Sequence, residues 1–436
     1  DLHDLRESEL YGLNFTVSNG QLFDLPGGSA GLALGYELRQ ETMLQSPDVA
    51  GSTGDVIGSS TDNLTNAARK ISALFAELNM PIFSSDNDVA GFHSLSLNLS
   101  ARYEEFWTQD DSAAVPKIAL KWQPFDDSFV IRGSWGQGYR QPSMYELYAS
   151  GQTFSLTPIN DPVKGINEPE QDVSTASSPQ LKAEDSDNFS VGFVWTPNFA
   201  STDTSGLSFG MDYWSVKRNG NVTVDHQDVV DRAFKGETLL PGESVERDAQ
   251  GNIVLVNGVF RNLGNENAEG IDIQASYFWV TENAGRWDIG LNASYLQKYE
   301  IQQFPAAPFF DYVGEMTDIS FDNQTGDPSP GSGDGAYLPW RGVGFLRWGM
   351  GSMNASLQAN YMDGFRDFKS EWDPGNPNDP AGFSQVDSLL TFDLSFSYNF
   401  FENSESWWGN TRITLNLVNI LDTEPPSVVS WDNNST

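Results

Sequence analysis

Cysteine is absent from this 436-residue sequence, which excludes a disulfide framework, a thiol nucleophile and a thiolate metal site. Histidine is scarce as well: His3, His93 and His226 are far apart and lack the spacing of metal ligands. No Ser-His-Asp arrangement and no glycine-rich phosphate loop stands out. We therefore expect that the protein is not an enzyme and that it carries no resident cofactor.

Basic residues are few, with 24 Lys and Arg against 60 Asp and Glu, so the formal net charge is −36. A nucleic-acid partner is not expected, because phosphate recognition needs a basic face. Long solvated acidic loops explain the charge, although a salt-rich habitat or a cation-attracting pore mouth also fits it. Long apolar runs are missing too, since no stretch approaches the roughly 18 residues that a membrane helix needs.

What the sequence does contain is a long alternation of apolar and polar residues at 95–103, 271–279, 287–295 and 392–400. Because strand side chains alternate between two faces, each run has one apolar and one polar face. Strands of soluble proteins average about five or six residues, whereas a strand that crosses a bilayer needs about nine to eleven. The 13 Trp residues also suit the aromatic belts of a membrane protein. The pattern predicts an all-β fold, a large antiparallel transmembrane β-barrel.

About fifteen strands are predicted, and the connections between them alternate in length. Short connections are predicted at 124–127, 196–205, 281–285 and 349–351, and long ones at 44–68, 140–184, 302–337 and 367–385. Short turns on one rim and long loops on the other are typical of an outer-membrane barrel. No domain boundary is visible, so 1–436 is treated as one domain. The predicted strands are 11–18, 29–43, 69–83, 91–107, 115–125, 127–139, 185–197, 204–218, 253–262, 268–281, 285–301, 338–350, 352–366, 386–402 and 409–420.

Six ordered motifs resemble those of one known family. The most specific is RGSWGQGYRQPSMYELY at 132–148, in which Gln141 stands where the family has a small residue. The others are LFDLPGG with GLALGYELR (22–39), AELNMP (76–81), the segment 181–193, NLGNENAEGID (262–272) and LNLVNILDTEPP (415–426). Together these motifs make the chain similar to the C-terminal, β-barrel part of a TonB-dependent outer-membrane receptor.

The resemblance implies a barrel of about 22 strands in the outer membrane of a Gram-negative bacterium. It also implies an N-terminal plug domain and a closing C-terminal strand, which we expect to lie outside this chain. In such a receptor the loops capture a scarce nutrient, and the TonB complex acts through the plug to drive its import. Expected partners are therefore outer-membrane lipid and lipopolysaccharide, the TonB complex, and a cargo such as a siderophore, cobalamin, a glycan or a peptide. A passive porin or adhesin-type barrel and a secreted soluble glycan-binding protein are the alternatives.

Candidate ligand contacts lie in or beside the long loops, where a strand leaves the membrane or an aromatic residue stands in a loop. They are Tyr139, Arg140, Gln141, Glu146, Tyr148, Phe154 and Trp372. The residues within 139–148 have an alternative, structural role: Pro142 ends the strand, and Arg140 with Glu146 holds the base of the loop in place.

Candidate lumen or plug contacts are charged residues that alternate with the predicted lipid-facing positions. They are Glu37, Arg39, Glu77, Arg102, Arg132, Asp272 and Asp393. Solvated lumen charge is the simpler explanation for any one of them. Oxygen ligands for Ca²⁺ are available from Asp322, Asn323, Asp327 and Asp334, but they lack the spacing of an EF-hand, so a solvated loop is favoured over a metal site.

Overall fold

A computed structural model of the chain describes residues 3, 5–53, 64–149, 152–200, 202–302, 304–305, 307–315, 319–321, 328–330, 336–368, 383–400 and 411–426. The strands are β1 (Leu5–Leu25), β2 (Gly28–Ser46), β3 (Thr65–Phe83), β4 (Ser94–Phe106), β5 (Asp111–Gln123), β6 (Phe129–Arg140), β7 (Gln152–Asp161), β8 (Ile166–Ala176), β9 (Glu184–Trp195), β10 (Ser205–Thr223), β11 (Ser244–Arg247), β12 (Ile253–Val259), β13 (Arg261–Thr281), β14 (Gly285–Gln302), β15 (Phe310–Asp311), β16 (Ile319–Phe321), β17 (Pro328–Pro330), β18 (Trp340–Met350), β19 (Met353–Met362), β20 (Phe365–Phe368), β21 (Phe383–Val386), β22 (Leu389–Phe400) and β23 (Thr411–Leu417). The helices are α1 (Val49–Thr53), α2 (Met144–Tyr148) and α3 (His226–Lys235), and short 3₁₀ turns lie at Ser85–Asn87 and Asn198–Ala200. Among these described residues, no helix is both long and apolar enough to cross a bilayer.

Fourteen strands form one continuous antiparallel sheet, which we call the wall. Their order is β1-β2-β3-β4-β5-β6-β9-β10-β13-β14-β18-β19-β22-β23, and β15 pairs with the end of β14. Neighbours in the wall follow one another along the chain, as the strands of an up-and-down barrel do. Between β2 and β3 the register runs from Gly31 opposite Asn79 to Gln45 opposite Thr65 without a shift. The predicted long antiparallel strands are confirmed.

The prediction that 253–262 forms a strand of the wall is wrong. Its first part forms β12, which pairs in parallel with β8 in a separate sheet, and β13 begins at Arg261. The physical reason is packing: Val256 is completely buried in a small protein core and does not face lipid. The segment 224–260 is therefore a long connection between wall strands.

The apolar face of the wall is bare. Leu13, Leu74 and Leu415 are 68%, 58% and 57% exposed, and Ile289 and Phe396 are exposed on the same face. Soluble monomers rarely expose a continuous apolar surface of more than a few hundred Å². This face therefore suits contact with hydrocarbon, as predicted, and the alternative of a secreted soluble protein does not fit it.

Aromatic side chains border the bare face at both ends. Near the short turns, the ring of Trp287 lies 6.0 Å from that of Trp279 and 6.1 Å from that of Trp348. At the other end, Tyr295 stacks on Trp340 with ring centroids 4.6 Å apart. Eight residue steps separate Trp287 from Tyr295 on β14, which is about 26 Å along the strand and about 20 Å of depth after tilting. The two belts therefore bracket a band close to the thickness of an outer-membrane barrel.

Connections alternate in length around the wall, as predicted. Short turns at 26–27, 282–284 and 351–352 lie at one end, and the connections 141–183 and 224–260 lie at the other. One connection at the loop end, 107–110 between β4 and β5, is also short.

Two long connections fold together into one unit, which we call the loop lobe (141–183 with 224–260). Its sheet has the order β11-β12-β8-β7, and α3 packs on it. Helix α3 begins where the Asp225 side chain accepts a hydrogen bond from the Asp228 N–H, and it ends at Gly236, which has a positive φ. The buried core of the lobe is Ile159, Val173, Val229, Val230, Ile253 and Val256.

Candidate functional site on the polar face of the wall

The polar face of the wall, opposite to the bare face, carries a network of charges near the loop end. Glu37 accepts hydrogen bonds from Arg39 (3.0 Å) and Arg102 (2.7 Å), although β3 lies between β2 and β4. The contact across β3 is possible because Ala73, which lies opposite both Glu37 and Glu104, is small. Three of the predicted lumen residues are therefore brought together.

Tyr139 joins this network from β6. Its hydroxyl donates a hydrogen bond to Glu104, and its ring packs edge-on against Phe106 at 5.8 Å. Arg69 links Glu41 (2.6 Å) to the carbonyl oxygen of Pro142 (2.9 Å). The first network thus ties β2, β3 and β4 to the point where the loop lobe leaves the wall.

A second network begins at Arg140, which donates hydrogen bonds to both Glu146 and Glu184. Glu184 is 2% exposed and also accepts from Arg218 (2.9 Å) and from the backbone N–H of Val222 (2.8 Å). Arg218 in turn reaches Glu266 at 2.8 Å. A carboxylate this deeply buried is held ionised only by such a set of charged donors.

Helix α2 is held by the same charges. Ser143 caps it by accepting from the Glu146 N–H, and Glu146 accepts back from the Ser143 N–H, which forms a capping box. Burial acts to raise the pKa of Glu146, but hydrogen bonds from Arg140 and Ser143 outweigh it and lower the pKa below its usual value. Arg140 and Glu146 therefore pin the base of the loop, which is the structural role considered for them above.

Gln141 is the exception among the residues at the loop base. Both polar atoms of its side chain are buried without a hydrogen-bond partner, and the same holds for Gln109 in the turn 107–110. A buried amide without partners is costly, and Gln141 therefore contributes no hydrogen bond to the ion-pair networks of the loop base. Tyr148 is half-buried at the end of α2, beside the fully buried Leu147.

Farther along the wall, Arg132 and Asp212 form a two-pronged ion pair of 2.8 and 2.6 Å. Gly192 lies opposite each of them on the strand between. A Cβ atom at Gly192 would lie 2.1 Å from Asp212 Oδ1 and 2.5 Å from the backbone oxygen of Met211. Glycine at this position is therefore what lets the two side chains meet across β9.

The other predicted lumen residues are hydrogen-bonded separately. Glu77 accepts from Asn98 (2.7 Å), and Asp272 accepts from Ser294 (2.7 Å). Asp393 accepts from Asn360 and from the backbone N–H of Asn419, both at 2.9 Å. These residues share the polar face but do not form one cluster.

Several partners in the two networks were missed by sequence reasoning, namely Glu41, Arg69, Glu104, Glu184, Arg218 and Glu266. A signal was present in the spacing of charges two residues apart, as in Glu37, Arg39 and Glu41.

Some predicted residues cannot be placed. The side chain of Phe154, and all of Trp372 and the acidic residues proposed for Ca²⁺ (Asp322, Asn323, Asp327, Asp334), lie outside the described residues. Within the part of the chain that is described, no group of three or more His, Cys, Asp or Glu is arranged to hold a metal ion.

Comparison with solved structures gives the same fold at low sequence identity. The siderophore receptor PirA from Acinetobacter baumannii is 17% identical with a TM-score of 0.56, and the match covers 95% of this chain and 51% of that one. A ferric enterobactin receptor (PfeA) mutant from Pseudomonas aeruginosa is 14% identical with a TM-score of 0.58, covering 95% and 49%. The hemophore receptor HasR from Serratia marcescens, solved as a double mutant with its hemophore and heme, is 15% identical with a TM-score of 0.51, covering 92% and 55%.

The chain therefore spans about half the length of these receptors. A search of curated protein sequences gives no match. The family model for the TonB dependent receptor-like β-barrel matches residues 3–420. The chain thus belongs to the TonB-dependent receptor β-barrel family, whose members lie in the outer membrane of Gram-negative bacteria.

Proposed function

We propose that this chain forms the barrel wall of an outer-membrane receptor that binds a scarce nutrient at its loop end and imports it with energy delivered by TonB. The observation that carries the proposal is the asymmetry of the wall. One face is apolar and bare between two aromatic belts, and the other holds ion-pair networks such as that of Glu184. Such a wall separates lipid from a hydrated passage.

The loop end is the proposed place of cargo capture. The loop lobe has its own buried core, so it presents a fixed surface above the passage. Its base is tied to the wall through Arg140, Glu146 and Glu184. A cargo contact in the lobe is therefore mechanically coupled to the strand ends that line the passage.

The cargo we propose is a bulky solute that is too large or too rare for passive pores. Receptors that share the fold are named for siderophores, for ferric enterobactin and for a hemophore with heme. A ferric chelate is therefore the first class to test, followed by cobalamin, oligosaccharides and peptides. The barrel itself performs no covalent chemistry in this proposal.

Uptake in whole cells tests the proposal. Cells that carry the complete receptor, with and without a functional TonB complex, are given a labelled panel of these cargoes. We expect uptake of one class only when TonB is functional. Equal uptake in both strains would indicate the alternative, a passive pore. Mass spectrometry of solutes that co-purify with the receptor narrows the panel.

A further inference from the structure

A pocket on the polar face, near the short-turn end of the wall, has the opposite charge to the rest of the chain. This cavity of about 360 Å³ is lined by Arg286, Arg347 and Arg412 and by one carboxylate, Asp288. Among the described lining residues, three guanidinium groups against one carboxylate leave an excess of two positive charges, in a chain with a net charge of −36. We call this cavity the basic pocket.

Arg347 and Arg412 have no acidic partner among the described residues, and Arg347 also lacks any hydrogen-bond partner there. Asp288 lies directly opposite Arg347 on the neighbouring strand, but its carboxylate is taken by Arg286 at 3.0 and 2.8 Å. Within the part of the chain that the structure describes, no hydrogen bond or ion pair is formed by Arg347. Its charge is therefore free for a bound anion.

Aromatic rings position two of these arginines. The guanidinium carbon of Arg347 lies 4.0 Å from the ring centre of Phe345, and that of Arg286 lies 4.1 Å from the ring centre of Phe278. Gly290 lies opposite Phe345 on the neighbouring strand and leaves room for its ring. A Cβ atom at this position would lie only 2.3 Å from the ring. A guanidinium that stacks on a ring keeps its N–H edge available for a planar acceptor.

Hydroxyl and amide groups fill the wall between the arginines. In the strand register, Ser356 lies opposite Arg347 on one side and opposite Ser395 on the other, and Asn354 lies opposite Ser397. Arg412 donates to Ser397 at 2.8 Å, which holds its side chain toward the pocket. Planar guanidinium donors together with neutral hydroxyl donors form the recognition set for a carboxylate or a phosphate group.

We propose that the basic pocket binds the oxyanion group, carboxylate or phosphate, of a small solute inside the barrel. The inference deepens the proposed function and rests on it, because it places an anion-binding step near the end of the import path. The pocket lies on the polar face, behind the apolar band, so a membrane lipid is not the proposed ligand.

The test is equilibrium binding of two probes, inorganic phosphate and citrate, to the complete receptor purified in detergent at low ionic strength. Arg347→Gln is expected to weaken binding by roughly tenfold or more, since a hydrogen bond to a charged group is lost. Arg347→Lys keeps the charge but loses the planar fork, so it is expected to weaken binding less. Arg412→Gln serves as a second variant in case Arg347→Gln fails to assemble. The probe that binds more tightly distinguishes phosphate from carboxylate.

The matched control is Lys121→Gln, which removes one exposed positive charge from the same face of the wall, on β5 opposite Arg132. We expect the control to bind both probes as the unmodified receptor does. If Lys121→Gln weakens binding as much as Arg347→Gln, or if the unmodified receptor binds neither probe, the basic pocket is not an anion site. Cargo uptake is measured separately, so TonB-dependent uptake without anion binding would reject the pocket alone.

Discussion

At the scale of single residues, Asp225 shows how a buried, ionised carboxylate lowers the stability of the folded state. Asp225 is 7% exposed at the start of α3, and burial raises its pKa from 3.8 to about 6. Because the folded pKa is above the unfolded value, folding favours the protonated acid. The resulting stabilisation is fully present only below about pH 3.8 and is lost as the pH rises through 6.

Asp225→Asn is therefore expected to stabilise the loop lobe at pH 7.5 by about 1–3 kcal/mol, because asparagine caps a helix about as well as aspartate. At pH 4 the gain should nearly vanish, since the buried aspartic acid is then protonated. Hydrogen exchange of the Val229 and Val230 amides in the complete receptor, expressed as protection factors, measures the stabilisation at pH 7.5 and at pH 4. An equal gain at both pH values would mean that capping, and not the buried charge, is responsible.

A second buried carboxylate in the same lobe, Asp161, supports burial as the cause of the raised pKa of Asp225. Asp161 is as deeply buried as Asp225, but Arg247 donates to both of its oxygens at 2.6 and 2.8 Å. That pairing lowers the pKa of Asp161 below its usual value. The pKa shifts of the two carboxylates therefore have opposite directions, because the hydrogen bonds from Arg247 dominate at Asp161 and burial dominates at Asp225.

At the scale of the strand, the alternation of faces can be tested on adjacent residues. Leu99 lies on the bare face of β4, midway between Leu95 and Tyr103, and Asn98 points to the polar face, where it donates to Glu77. Leu99→Arg is expected to lower the free energy of unfolding by about 2–4 kcal/mol, because it places a cation near the bilayer midplane. Asn98→Arg should have a small effect, since Glu77 is in reach of the new charge. Denaturant titration of the receptor in lipid vesicles compares the two, and equal losses would contradict the assignment of faces.

The strands were predictable because alternation is a local property of the sequence. The positions of β4, β13 and β14 and the exposure of their apolar faces follow from it directly. The segment 253–262 was misassigned because its apolar residues pack in the loop lobe, and that packing depends on β8, which lies about eighty residues earlier in the chain.

The ion-pair networks could be predicted only in part for a related reason. Glu37 and Arg102 were recognised as polar-face residues, but their contact depends on which strands are neighbours and on a small residue, Ala73, between them. The same is true of Arg132 and Asp212 across Gly192. A single sequence shows the faces of strands, whereas these pairings require the register of three strands at once.

At the scale of the whole molecule, the two ends of the wall have different chemistry. The loop end holds carboxylates such as Glu104 and Glu184 in networks where every charge has a partner. The turn end holds Arg347, which has no hydrogen-bond or ion-pair partner among the described residues. An anionic cargo would thus meet compensated charge where it enters and free positive charge nearer to where it leaves. The electrostatic attraction for an anion is therefore stronger near the turn end than within the paired networks of the loop end.

The first segment of the loop lobe can be removed without disturbing the wall, because its ends lie side by side. Ser177 donates a hydrogen bond to the Ala149 carbonyl oxygen at 2.6 Å, and the Ser178 N–H donates to that of Glu146 at 2.9 Å. A short Gly-Ser linker in place of residues 150–176 therefore removes β7 and β8 but keeps α2 and the pairing of Arg140 with Glu146. The matched control exchanges only the exposed turn 162–165 for a Gly-Ser turn of equal length.

We expect the linker variant to lose cargo uptake and to bind cargo at least tenfold more weakly, because Val256 and α3 lose the buried partners Ile159 and Val173. The turn variant should keep both activities. Binding is measured on purified receptor and uptake on whole cells, after protease resistance has confirmed that the wall is assembled. Unchanged affinity in the linker variant would show that the lobe does not contact cargo. If affinity is unchanged but uptake is lost, the removed segment acts in gating. The ion pair between Arg140 and Glu146 is kept in that variant, so its loss would not explain the result.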